Sequence, residues 1–118
     1  MRRDSQRLSD IVAAGSQIAL YIESRTAMDF ITDQYFQDAV LHQLTIVGEA
    51  ASKLSTGFRF NHSAVPWTRI IGFRQRIVHD YFGFNLDTAW RIAKVAVPEL
   101  TVQVAEILAT EFVDDSDW

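Results

Sequence analysis

The chain contains no cysteine. That excludes a disulfide framework, a thiolate nucleophile and a cysteine-ligated metal, and it suits a reducing compartment. No window approaches the roughly 20 apolar residues of a membrane span. No apolar run long enough for a signal peptide follows the charged start Met1-Arg2-Arg3-Asp4. Strand-like alternation, internal repeats and low-complexity segments are also missing. The expectation is a soluble cytoplasmic protein, and 118 residues suffice for one core but not for two.

Acids outnumber bases to give a net charge of −4, but the excess is local. Glu111, Asp114, Asp115 and Asp117 crowd the end with no base among them. Between Phe58 and Lys94 the sign reverses. Arg59, Arg69, Arg74, Arg76, Arg91 and Lys94 face only Asp80 and Asp87 there. Such a segment can attract phosphate, although it lacks the extended basic face of a dedicated nucleic-acid binder. A solvated helix surface would carry the same charges.

Apolar spacing predicts helices throughout. Leu8, Ile11, Val12, Gly15, Ala19 and Ile22 form one stripe over residues 5–24, capped by Asp4 or Ser5. On that stripe Gly15 would let another helix approach closely. A boundary falls at 29–33, with Thr32 a candidate cap. Residues 33–54 place Phe36, Val40, Leu44, Val47, Ala50, Ala51 and Leu54 on one side, and Asp38, His42, Thr45, Glu49 and Lys53 on the other. Residues 55–65 break the period and read as a loop with an exposed His62. Pro66 pre-sets a third helix running to about Asp80. Gly83 ends that pattern, and Asn85 or Asp87 restarts it. Pro98 forces a kink or a new helix within the final stripe of Trp90, Ala93, Val97, Leu100, Val104, Ile107 and Leu108. The fold class is all-α, an antiparallel bundle of four to five helices.

Chemistry concentrates in Arg74-Gln75-Arg76-Ile77-Val78-His79-Asp80-Tyr81. Arg74 falls on an apolar face with Ile70, Phe73, Ile77, Val78 and Tyr81. A guanidinium there needs an anionic partner. Glu49 could supply an internal ion pair, or a phosphate could be clamped at a cleft wall. His79 lies about 140° away on a regular helix. It is either a surface group near a helix end or a general acid or base. Arg74 and His79 can cooperate only through a deviating helix end or a second subunit. His42, His62 and His79 offer no paired metal-ligand spacing, so neither a metal nor a cofactor is expected.

With Ile46-Val47-Gly48-Glu49-Ala50-Ala51, Val65-Pro66-Trp67, Ile71-Gly72-Phe73-Arg74, His79-Asp80-Tyr81-Phe82, Trp90 and Pro98-Glu99-Leu100 in this order, the chain resembles the HEPN superfamily, specifically its HepT-like ribonuclease toxins. The resemblance covers about Leu8 to Leu108. It implies a HEPN-like helical domain over residues 1–112, with 113–118 an acidic tail. It also implies a homodimer whose two signature helices line a shared cleft, and metal-independent RNA cleavage. In that scheme Arg74 holds the scissile phosphate and His79 moves protons around a ribose 2′-hydroxyl nucleophile, with Gln75 and Glu49 supporting. The partner implied is a nucleotidyltransferase antitoxin of the MNT type. It transfers AMP to Tyr81 and blocks the cleft by charge and bulk. The family often has asparagine where this chain has Gln75, so the geometry beside Arg74 shifts.

Two other readings remain open on the residues alone. One is a non-catalytic helical module that docks a nucleotidyltransferase or a nucleotide. The other is a purely structural helical dimer, which leaves Arg74 on an apolar stripe without a reason.

Overall fold

The computed structural model describes residues 3–79 and 85–112. Every element among them is helical: α1 (Asp4–Ile22), α2 (Ala27–Thr32), α3 (Gln34–Ser52), α4 (Thr56–Asn61), α5 (Trp67–His79), α6 (Leu86–Arg91), a π-helical turn (Ile92–Ala96) and α7 (Val97–Glu111). None of the described helices is long and apolar enough to cross a membrane.

The starts of α2, α3, α4 and α6 are fixed by a short polar side chain that accepts from an otherwise unpaired amide. Thr26 and Asp29 do this reciprocally for α2, Asp33 for α3, Ser55 for α4 and Asn85 for α6. Asn85 is one of the two expected caps, whereas Asp33 takes the position expected of Thr32. Neither Asp4 nor Ser5 caps α1, where the Gln6 side chain instead accepts the Arg3 amide at 2.8 Å.

The Asp4 carboxylate is used elsewhere. It accepts from both the amide and the hydroxyl of Ser55, at 2.9 and 2.7 Å. The start of α1 therefore lies beside the end of α3. At the same end of the molecule His62 pairs with Glu111 at 3.0 Å, and Phe58 stacks between Trp67 and Phe112. Hence α1 and α5 run one way and α3 and α7 the other. α1 packs on α3 and α7, and α3 packs on α5. The four long helices make the expected antiparallel bundle.

The core is one cluster drawn from all four long helices. Every apolar residue expected on α3 is buried. α1 departs from expectation: Ala14 and Ile18 are buried, Ala19 is exposed and Val12 is half-buried. Sandwiched between two neighbours, α1 buries a wider arc than one stripe. Gly15 does sit at a close approach, because a side chain there would fall on Thr101 of α7.

Two stretches expected to be irregular are short helices. Residues 27–32 form α2, whose Phe30 is fully buried against Phe36 and Trp90. Residues 56–61 form α4 within the expected loop. His62 then follows as a seated residue, with its ring 4.5 Å from that of Phe58. Six-residue helices show too little periodicity to be seen in sequence. Pro98 falls in the first turn of α7, where the expected new helix places it. The chain widens into the π turn just before it, and the Val97 amide reaches back to the Ile92 carbonyl. An enlarged turn is a known way to absorb an interruption of the regular ladder.

Burial separates two phenylalanines sharply. Phe30 is 0% exposed and Phe60 is 80% exposed. Phe30→Ala is expected to cost about 3–5 kcal/mol in thermal or urea unfolding. Phe60→Ala should stay within about 0.5 kcal/mol of the parent.

Candidate active site

α5 carries Arg69, Arg74, Arg76 and His79 and no carboxylate. Its apolar side, Trp67, Ile70 and Ile77, is buried against the bundle. Phe73 is half-buried, and Val78 is 46% exposed, outside the face on which it was expected. Ile77 stays buried in the last turn, so the covered arc there is narrower than the expected face.

Arg74 crosses from α5 to α3 at Gly48. A methyl group at Gly48 would overlap the Arg74 Cβ and stand 3.2 Å from the Ile70 carbonyl oxygen. Only glycine lets the arginine stem lie flat on α3. The guanidinium then reaches Glu49, one residue further, with Nη2 2.6 Å from the carboxylate. Lys53 approaches the same carboxylate from the next turn at 3.4 Å. Arg74 and Glu49 side chains are 27% and 40% exposed, so the pair is partly hydrated. Pairs of this kind are worth about 0–1 kcal/mol. The contact therefore orients Arg74 more than it stabilises the fold. The Arg74 Nε–H is buried with no partner, so the guanidinium retains donor capacity.

His79 is the last residue of α5 and is exposed. It has no hydrogen bond or ion pair among the described residues. Gln75 is also exposed, one turn before it. A regular helix puts His79 about 7.5 Å along and 140° around from Arg74. The two do not converge within one protomer: Arg74 leans onto α3, and His79 faces away from it. Tyr81, the proposed modification site, lies outside the described residues. Among those described, no three imidazoles or carboxylates gather where they could hold a metal ion.

A stripe was missed in the sequence. Arg69, Gly72, Arg76 and His79 fall within about 80° of one another on the outward side of α5. Gly72 sits mid-helix with nothing within 4 Å of where a Cβ would be. A glycine there costs about 1 kcal/mol relative to alanine, and among the described residues no neighbour needs the space. The spacing of Arg69, Gly72 and Arg76 was the available signal.

The two glycines are expected to respond oppositely. Gly48→Ala should destabilise by about 1–3 kcal/mol through overpacking, and Gly72→Ala should stabilise by about 0.5–1 kcal/mol. Chemical denaturation of both variants checks this.

Comparison with known proteins adds family context. The family model "Ribonuclease HepT-like" matches residues 11–107. "Putative RNase TTE0752" of Caldanaerobacter subterraneus is 42% identical over 70% of this chain and 74% of its own length. "Probable ribonuclease HepT" of Thermococcus cleftensis is 30% identical over 84% of this chain and 90% of its own. "Gamma-glutamylcyclotransferase and putative RNase MJ0434" of Methanocaldococcus jannaschii is 31% identical over 92% of this chain, which spans only 49% of that longer protein. No solved structure matches at a significant level.

Proposed function

The chain belongs to the HepT-like ribonuclease family, and from that premise we propose that it is an RNA-cleaving toxin with a composite Arg74–His79 site. The observation that carries this reading is Arg74 itself. It is pinned by Glu49 with donor capacity to spare, on a helix without carboxylates that ends in an exposed histidine.

The chemistry needs a phosphate clamp and a proton carrier. Arg74 binds the non-bridging oxygens of the scissile phosphate and meets the charge that develops as the 2′-oxygen attacks. The P–O5′ bond breaks, leaving a 2′,3′-cyclic phosphate and a free 5′-hydroxyl. The His79 imidazole takes the 2′-hydroxyl proton and returns a proton to the departing 5′-oxygen. Because the nucleophile belongs to the substrate, this route calls for no metal. Two copies of the chain facing each other across α5 bring the Arg74 of one opposite the His79 of the other. Gly72 leaves room between the helices for the RNA backbone. Gln75, on the exposed side, is placed to hydrogen-bond the ribose or phosphate.

The partner in this reading is a nucleotidyltransferase antitoxin that adds AMP to Tyr81, two residues beyond His79. The added negative charge beside His79 repels the RNA backbone and closes the cleft.

Expressing the chain alone should slow growth and degrade RNA, and co-expression with its nucleotidyltransferase should relieve both effects. His79→Ala should cut the cleavage rate about 10²–10⁴-fold while leaving the fold intact. Cleavage by purified protein that does not depend on His79 would overturn the assignment. Intact RNA with retained nucleotidyltransferase binding would favour the non-catalytic docking module.

A further inference from the structure

An open groove of about 560 Å³ lies between α4 and the start of α5. It is lined by Arg59, Phe60 and Thr56 from α4 and by Val65, Trp67 and Arg69, and among the described residues no carboxylate lines it. Arg59 and Arg69 have no ion pair among the described residues, and the Arg59 Nε is buried without a hydrogen-bond partner. The Phe60 ring stands in solvent beside them.

α4 is a fixed platform. Asp4 grips Ser55 at its start, Phe58 packs inward against Trp67 and Phe112, and His62 is tied to Glu111. Holding Phe58 inward turns Phe60 outward. The groove thus presents an exposed aromatic ring together with the Arg59 and Arg69 side chains in its lining. That combination suits a single-stranded nucleic acid, with a base stacked on the ring and flanking phosphates on the cations. An isolated exposed phenylalanine would need no explanation, but one beside unpaired arginines on a carboxylate-free wall has charge complementarity to a polyanion.

Arg69 belongs both to the groove and to the α5 stripe, where it stands about 15 Å along the helix from His79. We infer that the α4–α5 groove is an RNA subsite that holds a nucleotide a few positions from the cut, with the base on Phe60 and phosphates on Arg59 and Arg69. This rests on the ribonuclease reading and extends it to substrate recognition away from the reacting phosphate.

The experiment measures cleavage kinetics of Phe60→Ala, Arg59→Gln and Arg69→Gln in the full chain, on single-stranded oligoribonucleotides of increasing length. It also measures anisotropy binding of the same oligonucleotides in a His79→Ala background. On long oligonucleotides Phe60→Ala should raise KM and weaken binding about 5–100-fold with kcat unchanged. Each arginine variant should flatten the salt dependence of binding by about 0.7 in log–log slope. On substrates too short to reach the groove, all three variants should match the parent. If the parent cleaves RNA through His79 but the three variants behave like it at every length, the subsite is wrong and the ribonuclease reading stands. If the parent neither binds nor cleaves RNA, both fall. If the variants keep RNA affinity but lose nucleotidyltransferase binding, the groove is a protein-docking surface and the inference is overturned.

Discussion

The contact between Gly48 and the stem of Arg74 is what the site depends on. Because α3 has no side chain at position 48, the aliphatic part of Arg74 can lie against it, and α5 can approach to backbone distance of the Ile70 carbonyl. That approach delivers the guanidinium to Glu49. An arginine elsewhere on this face would be a buried cation without a partner, at a cost of several kcal/mol. Here half-exposure and a carboxylate remove most of that cost, and little net stability is gained. The arrangement is therefore better understood as orientation: it fixes a partly exposed cation against α3.

The rest of the bundle serves that placement. At one end Asp4, Ser55, His62, Glu111 and the Phe58 cluster lock α4 and the start of α5. At the other end Phe30, Phe36 and Trp90 close the core, with Arg25 over the Phe36 ring and paired to Asp33. Phe36 donates its amide to the Asp33 carboxylate, which holds that carboxyl below its ordinary range, and Arg25 adds to the effect. α5 projects from this frame with one side anchored and the other open. An exposed, carboxylate-free stripe bearing a mid-helix glycine is out of place on a helix that has finished packing.

Long helices with strong periodicity were legible in the sequence, as the buried face of α3 shows. So was the Arg74–Glu49 pairing, because a guanidinium among Ile70, Phe73 and Ile77 demands a partner and Glu49 was the acid available on the adjacent polar stripe. The short helices were not legible: α2 and α4 have six residues each, less than two turns, and their caps are ordinary turn residues. The role of Gly48 was also hidden, since close approach depends on which helix lies across it. The groove beside Phe60 depends on the path of α4, a helix too short to show periodicity.

Helical geometry keeps Arg74 and His79 of one chain apart, and in the proposed function a second copy completes the site. Co-purified heterodimers of an Arg74→Met chain and a His79→Ala chain, distinguished by different tags, test this directly. Each heterodimer retains one Arg74 and one His79 on different subunits. RNA cleavage well above that of either parental homodimer is the expected result. Heterodimers as inactive as both parents would contradict a site shared between subunits.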